Sequence, residues 1–517
     1  MLGTHDSARL RAVLLAVSVT ALAAASCDDD SPETTVCTPG TVATCGCPDG
    51  STGQRECLAN GTGYGTCECA GGGGSGGSGG AGASGGAGAG GDDGAIWSRA
   101  FGAGGRQEPS RVAVDGSGNV VVAGAFADSI DFGAATLTSA GEGDAFVVKL
   151  SPDGQYLFSA GYGGTAADAA RGLAIDSSGN IILCGSFQNT VTIGGTNHAS
   201  AGAVDAFVAK LDPSGTVLWS RAFGSTGHEY ASAVGVDSNG NILVGGFFQG
   251  QISFDSHTVT AVDGLDVFVA KLDPSGTAQW AEQFGSGGDD QLYELAVDGS
   301  DGVLIGGRFP TAITFTEQLT SAGGADVFVA KLDSSGTPVF GKGFGDGANQ
   351  DLFGLAAAPD GGVVVAGYFE GSIHFGGDLL ASDGGNDAFV AKLDSSGDHV
   401  FSQKLGGPTE QYGAGVAVTA TGEVLVTGAF TGTVDFGGGP VQTAGDTDVF
   451  LLELSAAGGF VNVRRFGSNG ADTGVSAAVD ASGPALLAGW FDEEIRFGDE
   501  THVSEGERDV FVVKLAR

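Results

Sequence analysis

Seven residues with a side-chain oxygen recur at steps of 60 or 61 residues, each five positions after a glycine. Oxygen ligands of this kind can coordinate a cation such as Ca²⁺ or bind a polar ligand. They can also accept backbone hydrogen bonds that join one repeat to the next, and we favour this structural role. We expect no cofactor, with Ca²⁺ at these residues as the alternative. They are Gln107, Asp168, Glu229, Asp290, Gln350, Gln411 and Asp472.

Two isolated cysteines have different predicted roles. Cys27 follows a short apolar segment that begins after Arg9 and Arg11, and this arrangement resembles the processing site of bacterial lipoproteins. We therefore predict that Cys27 carries lipid and anchors the chain to a membrane without spanning it. Cleavage as an ordinary secretory signal is the alternative, because Ala24 stands where such sites prefer leucine. Cys184 lies in an apolar run and is predicted to be a buried thiol.

Six further cysteines lie close together in the pattern C…CxC…C…CxC. In an exported chain this pattern predicts three disulfide bonds, with a zinc site as the alternative. About 40 residues cannot bury a self-sufficient core, so the disulfides would hold this module together. The cysteines are Cys37, Cys45, Cys47, Cys57, Cys67 and Cys69.

Evidence for enzyme chemistry in the sequence is thin. There is no GxSxG, HExxH or phosphate-binding loop, and the seven histidines are scattered. An Asp-(Ala or Val)-Phe motif occurs in every repeat, and an acid required in every repeat is expected to be structural. Its aspartates are Asp144, Asp205, Asp266, Asp326, Asp387, Asp448 and Asp509. An extracellular hydrolase or lyase that uses Glu229 or Asp290 is the alternative to a non-enzymatic protein.

The repeat itself predicts the elements that position these residues. Each unit contains three apolar runs and a fourth run with more alternation, separated by turns rich in Gly, Asn, Asp and Ser. Strands that are apolar throughout are covered on both faces, and the alternating fourth strand is predicted to be outermost. Seven units of four antiparallel strands predict an all-β fold, a seven-bladed β-propeller. A β-solenoid is the alternative.

The two ends of the repeat region predict how the ring closes. Residues 96–102 match a fourth strand, and residues 509–517 match a third strand with no fourth strand after it. We therefore predict that Ile96–Phe101 pairs with Asp509–Leu515 in the last blade. In the closed ring, the seven oxygen-bearing residues would surround the mouth of a central channel. Ala358 and Thr419 replace an aspartate found in the other blades, so altered turns are expected there.

Units such as "LAIDSSGNIILCGSF" and "DAFVAKLDPSGTVLWS" resemble the bacterial seven-bladed β-propeller repeat family known as SBBP. The resemblance covers residues 96–517. It implies a propeller fold and an exported or surface location, and it implies no particular chemistry, since members of the family are mostly of unassigned activity.

Composition and low-complexity segments complete the predicted organisation. Residues 1–26 form the signal peptide, 27–69 the disulfide-rich module, 70–95 a flexible linker of Gly, Ala and Ser, and 96–517 the propeller. The net charge of −39 opposes binding to nucleic acid. The sequence thus predicts an exported, lipid-anchored monomer in the cell envelope or on the outer surface.

The predicted function is to bind a protein or polysaccharide through one rim of the propeller. The loops from the fourth strand to the next first strand vary most in sequence, and together with the long second-to-third connections they would form that rim. A structural or assembly component of the envelope is the alternative that needs no ligand.

Overall fold

The computed structural model describes residues 93–517 and two short strands of the preceding region. Those two strands, Val42–Gly46 and Thr52–Glu56, form an antiparallel pair within a unit that extends from Met1 to Ala83. The predicted lipid anchor at Cys27, the side chains of the predicted disulfide module and the Gly/Ala/Ser linker lie outside the described residues. The propeller belongs to a second unit, Ser84–Arg517.

Seven sheets of four antiparallel strands confirm the predicted fold class. In each blade the strands lie in the order first, second, third and fourth, from the innermost strand to the outermost. The innermost strands are Gln107–Val114, Asp168–Ile175, Glu229–Val236, Gln291–Val297, Gln350–Ala357, Gln411–Val418 and Asp472–Val479. The second strands are Val120–Phe126, Ile181–Phe187, Ile242–Phe254, Val303–Phe309, Val363–Phe369, Val424–Phe430 and Ala485–Phe491.

The outer half of each blade is built from the third and fourth strands. The third strands are Asp144–Leu150, Asp205–Leu211, His257–Leu272, Asp326–Leu332, Asp387–Leu393, Asp448–Leu454 and Asp509–Leu515. The fourth strands are Tyr156–Tyr162, Val217–Phe223, Ala278–Phe284, Pro338–Phe344, His399–Leu405, Phe460–Phe466 and, for blade 7, Ala95–Phe101. Apolar side chains of neighbouring blades interlock into seven buried clusters, one at each joint.

The ring closes as predicted. Ala95–Phe101 pairs antiparallel with Asp509–Leu515, with Trp97 opposite Lys514 and Phe101 opposite Val510. Residues outside the strand reinforce it: the Ala516 N–H donates to the Gly94 carbonyl at 2.7 Å. The third strand of the last blade therefore has no unpaired edge. Hydrogen bonds, and no direct chain connection, join this strand to the fourth strand.

The long second-to-third connections form small hairpins that the sequence reading treated only as loops. Each carries buried apolar residues that cover the neighbouring blade; Phe254, for example, stacks on Phe223 of the preceding blade with ring centroids 4.7 Å apart. In blade 3 the hairpin continues the second and third strands. The separate hairpins are Ser129–Asp131 with Thr136–Thr138, Thr190–Ile193 with Thr196–Ala199, Ala312–Thr314 with Gln318–Thr320, Ser372–Ile373 with Leu380–Ala381, Thr433–Asp435 with Pro440–Gln442, and Glu494–Phe497 with Glu500–Val503.

Buried lysine–aspartate pairs tie the third strand of a blade to its first turn. Lys271 Nζ lies 2.8 Å from Asp237 Oδ2, with both side chains nearly excluded from solvent, and it also donates to the Ser334 carbonyl of the next blade at 3.2 Å. Equivalent pairs are Lys149–Asp115, Lys210–Asp176, Lys331–Asp298 and Lys514–Asp480. A charge-assisted contact of this kind joins strand, turn and neighbouring blade.

The expectation of altered turns at Ala358 and Thr419 is wrong. The Ala358 N–H donates to the Gly362 carbonyl and the Thr419 N–H to the Glu423 carbonyl, both at 2.9 Å, as Asp115 does with Asn119. The side-chain contacts of the turn change, and the ion pair changes with them. Lys392 pairs with Asp360 instead, and blade 6 replaces the lysine with Glu453, which pairs with arginines. Because backbone hydrogen bonds define the turn, the aspartate side chain is not needed for its shape.

Aromatic residues of the outermost strands pack on the next blade's tight turn. The Trp97 ring of blade 7 contacts the turn of blade 1 at Gly154, and its Nε1–H donates to the Pro152 carbonyl at 2.9 Å. Gly154 has φ of 73°, so it also supplies the left-handed backbone that the turn requires. The same contact recurs as Phe158–Gly215, Trp219–Gly276, Trp280–Gly336, Phe340–Gly397 and Phe401–Gly458. Asn462 occupies the seventh position, because blade 7 has no turn between its third and fourth strands.

The Asp-(Ala or Val)-Phe motif has the structural role expected of it. Its aspartates are buried and accept backbone N–H groups from the connection before the third strand, as Asp205 Oδ2 does from Ala201 at 2.9 Å. A Cβ at Gly224 would overlap the Asp205 carboxyl, so the glycine that ends each fourth run is required by this packing. No helix long and apolar enough to cross a membrane occurs in the described residues.

Candidate functional site

The seven oxygen-bearing residues lie where the innermost strands begin, at one end of the central channel, which we call the mouth. All seven are at most 3% exposed, so their side chains do not face the open channel as we expected. Among the described residues, no group of three or more His, Cys, Asp or Glu side chains could hold a metal ion. Their burial is compatible with the structural role, and the cation interpretation stays a prediction.

The hydrogen bonds of these side chains organise the loops that lead into most of the blades. Five of the seven accept the N–H of the residue four positions earlier, in the loop that leads into the blade; Asp168 Oδ2 accepts from Gly164 at 2.7 Å. Gln350 also donates from Nε2 to the Glu370 carbonyl at 3.1 Å. The backbone N–H of each residue bonds a carbonyl of the preceding blade, as Asp168 does with Gly143 at 2.8 Å. These residues therefore order the interblade loops.

Four of these residues are acids, and burial changes their protonation. Burial raises the pKa of Asp168 and Glu229 to about 7 and that of Asp290 and Asp472 to about 8. The folded state therefore holds protons that the unfolded chain releases near its ordinary carboxyl pKa. By linkage, the stabilisation is fully present below about pH 4 and is lost as the pH rises through 7 to 8.

A β-bulge in each innermost strand turns one side chain out of the regular alternation. In blade 4 the pairing register shifts between Leu292 and Glu294, so that Tyr293 is the extra residue. A bulge re-aims the side chain that it carries. The seven bulge residues are Ser110, Arg171, Ser232, Tyr293, Phe353, Ala414 and Val475, and they differ from blade to blade. The innermost strands thus carry residues specific to each blade beside the channel.

An ion pair spans the channel between opposite blades. Arg111 of blade 1 contacts the Glu294 carboxylate of blade 4. Burial raises the pKa of Glu294 to about 7, although Arg111 opposes this shift. The cavity around the pair has a volume of about 140 Å³. Sites for drug-sized ligands occupy roughly 300–1,000 Å³, so this part of the channel suits water better than an organic substrate.

Aromatic side chains concentrate at the mouth on blades 4 to 6. Tyr293, Phe353, Tyr368 and Tyr412, which we call the mouth cluster, form a continuous row with centroid distances of 6.0, 5.7 and 5.4 Å. All four rings are half-buried. With Tyr230 of blade 3, four of the chain's seven tyrosines lie at this end of the channel. Tyrosine is amphipathic and is enriched in binding interfaces.

Acidic side chains bond the tyrosine hydroxyls of the mouth cluster. The Tyr412 hydroxyl donates to Glu410 at 2.9 Å and accepts from Asn386 Nδ2 at 2.8 Å. The Tyr368 hydroxyl donates to Asp351 at 3.0 Å. Burial, with help from these carboxylates, raises the pKa of both tyrosines, so their hydroxyls stay protonated and act as donors.

The opposite side of the mouth carries arginines stacked on aromatic rings. The Arg508 guanidinium lies 3.8 Å from the ring centroid of Trp490, and it pairs with Glu108 at 3.1 Å and with Asp492 at 3.5 Å. Arg171 lies 5.5 Å from the ring centroid of Tyr230. These distances are those of cation–π contacts.

Sequence reasoning missed most of this arrangement. Positions that are alike in every repeat are the easiest to recognise in the sequence, and in the structure those positions hold the blades together. The segments 228–230 and 293–294 bring His, Glu and Tyr residues close together in the sequence, and this was the available signal. Of these residues, Glu229, Tyr230, Tyr293 and Glu294 lie at the channel or its mouth. Cys184 is buried, as predicted.

Comparison with known proteins yields distant relatives. No family model matches the chain. An uncharacterised WD repeat-containing protein of Acanthamoeba polyphaga mimivirus is 21% identical over 506 residues, covering 77% of this chain and 36% of that protein. The regulatory protein FlaEY of Caulobacter vibrioides is 26% identical over 379 residues, covering 67% and 39%. The chain therefore spans less than two fifths of the length of either relative.

Similar solved structures include a WD40 domain and an enzyme. The WD40 domain of Neurospora crassa Pan2 has a TM-score of 0.41 at 11% identity, covering 79% of this chain and 89% of that domain. A gluconolactonase of Xanthomonas campestris has a TM-score of 0.32 at 12% identity, covering 73% and 91%. Propellers commonly serve as scaffolds for protein interactions, and a fold alone does not decide between binding and catalysis. Its seven four-stranded sheets show that the chain is a seven-bladed β-propeller.

Proposed function

We propose that this chain is a non-enzymatic, exported propeller of the SBBP type that binds a protein or polysaccharide at the mouth of its channel. The observation that carries the proposal is the distribution of residues that differ between blades. Those residues concentrate at the mouth, where they form the mouth cluster and the stacked arginines, whereas the turns of the opposite rim repeat the same lysine–aspartate pair in five of the seven blades. Aromatic and arginine side chains dominate the energetics of most protein interfaces.

A test of mouth binding uses arrays of peptides and of oligosaccharides. We expect the wild-type chain to bind a subset of one array, and Tyr293→Ala combined with Tyr412→Ala to weaken that binding at least tenfold. Tyr156→Ala is the matched control, because Tyr156 lies in the outermost strand of blade 1. Binding that is equally strong in all three proteins would refute the assignment to the mouth.

The anchoring part of the proposal rests on the apolar segment before Cys27 and on the linker of 70–95. We expect the chain to fractionate with membranes and to be extracted by detergent. Cys27→Ser should release it, because a lipid cannot then be attached. If the Cys27→Ser protein stays in the membrane fraction, lipidation at this residue is not the anchor.

A hydrolase or lyase is the second candidate, and its expected residues are poorly placed. Glu229 and Asp290 are fully buried at the start of their blades, so a substrate at the mouth cannot reach them. Glu294 is the acid that borders the channel cavity, and it is paired with Arg111. Turnover of any glycan or ester that disappears in Glu294→Gln would favour this candidate over a binding protein.

A further inference from the structure

The joint between blades 5 and 6 is structurally equivalent to the joint between blades 7 and 1, but it lacks the arginine of that joint. At the second joint, the Arg508 guanidinium stacks on Trp490 and pairs with Asp492. The equivalent positions at the first joint hold Tyr368 for the tryptophan, Glu370 for Asp492 and Asn386 for Arg508. The aromatic ring and the carboxylate are thus kept, and the long cationic side chain is replaced by a short neutral one.

Charges around this joint favour a cation. Glu410 approaches the Asn386 N–H at 3.3 Å, and Glu370 accepts from Asn349 Nδ2 at 3.2 Å. Asp351 is 4% exposed, and its Oδ1 has no hydrogen-bond partner in the described part of the chain. Arg308 reaches only the other oxygen of Asp351, at 3.4 Å. The protein as a whole carries a net charge of −39, so a basic partner is attracted at long range as well.

The ring geometry also favours a cation over a sugar. Neighbouring rings of the mouth cluster are inclined by 42°, 38° and 77°, so they form the walls of a cup and not a flat platform. Aromatic cups with nearby carboxylates bind ammonium and guanidinium groups through their ring faces. A sugar ring stacks best on one broad face that is open to solvent.

We propose that the cup formed by Tyr368, Tyr412, Glu370 and Glu410 binds an arginine or lysine side chain of a basic protein segment. The guest side chain takes the place that Arg508 occupies at the equivalent joint. This inference rests on the proposed function, because it names the partner class for the same mouth.

The test measures binding of a fluorescent hexa-arginine peptide to the purified chain by anisotropy, at about 0.3 M salt to screen surface charge. We expect Tyr368→Ala to weaken binding about tenfold, and Tyr368→Phe to retain most of it because the ring remains. Asn386→Arg should weaken binding at least tenfold, because the new side chain fills the cup from within the protein. Leu265→Arg is the control: it adds the same charge at the equivalent position of the joint between blades 3 and 4.

The possible results separate this inference from the proposal that it extends. Peptide binding that is insensitive to Tyr368→Ala and to Asn386→Arg would reflect net charge alone and would overturn the inference. Tyr368-dependent binding of maltohexaose or chitohexaose, without the peptide, would also overturn it but would leave mouth binding intact. If no probe responds to any mouth variant, both the inference and mouth binding fail. Unfolding curves of each variant identify any loss of binding that comes from misfolding. If Tyr368→Ala misfolds, the binding measured with Asn386→Arg and Tyr368→Phe tests the inference.

Discussion

Replacing Trp97 with alanine should weaken the closure of the ring. Trp97 is 8% exposed, and an aromatic side chain of this kind buries about 150–250 Å². At about 25 cal/mol per Å², that burial is worth about 4–6 kcal/mol, of which alanine retains a part. The hydrogen bond from Nε1 to the Pro152 carbonyl adds about 1 kcal/mol. We therefore expect a loss of about 3–5 kcal/mol, the usual range for Trp→Ala in a core.

Denaturant unfolding followed by tryptophan fluorescence and circular dichroism measures this loss. The matched control is Asn462→Ala, at the same position of the outermost strand in blade 6, where Asn462 is exposed and faces no turn. Its effect should stay within about 0.5 kcal/mol. Equal unfolding midpoints for Trp97→Ala and the wild type would mean that the N-terminal strand does not carry the closure described above.

Three further changes test other contacts. Glu229→Gln introduces the residue type that three other blades have at this position, and it should raise the free energy of unfolding at pH 8 more than at pH 5. The reason is that the Glu229 carboxyl loses its stabilising effect as the pH passes its raised pKa of about 7. Unfolding midpoints at the two pH values measure the difference. Asp237→Asn should cost about 3–5 kcal/mol because it leaves a buried lysine unpaired, whereas Asp398→Asn, whose pair with Lys342 is exposed on both sides, should cost less than about 1 kcal/mol. Gly163→Ala should prevent folding or shift the melting temperature strongly, because its Cβ would overlap a buried carboxyl, and Gly116→Ala, with open space around it, should not.

The architecture follows from the sequence because the repeat constrains it at many positions at once. A motif such as Asp205-Ala206-Phe207 marks the start of the third strand in six of the seven blades, and the unmatched segments at the two ends predict the closing pair. The sequence did not predict the second-to-third hairpins, because their strands of two to four residues are too short to show the alternation of apolar and polar residues that marks a strand. Their buried Ile and Phe residues were the signal, as in Ile252 and Phe254.

The candidate site could not be found by the same reasoning. Polar residues that recur in all blades, such as Gln350 and Gln411, satisfy loop N–H groups and are buried. Residues that differ between blades, such as Arg171 and Tyr293, leave no pattern in the sequence, and only the bulge in the innermost strand shows that they share a place. The edge-to-face ring contact between Tyr368 and Tyr412 joins two blades and cannot be predicted from the sequence of either blade alone.

Because blade 7 combines strands from two distant parts of the chain, the order of the blades along the chain could be changed while the ring stays the same. Leu515 lies opposite Ala95, so a short turn of the Asp-Pro-Ser-Gly type could connect the third strand to the fourth directly. New ends could then be opened at the turn of another blade, such as Ser151–Gln155, without moving a strand. In that rearranged chain Asn462 would face a turn for the first time, and an aromatic residue there would acquire the contact that six other blades already use.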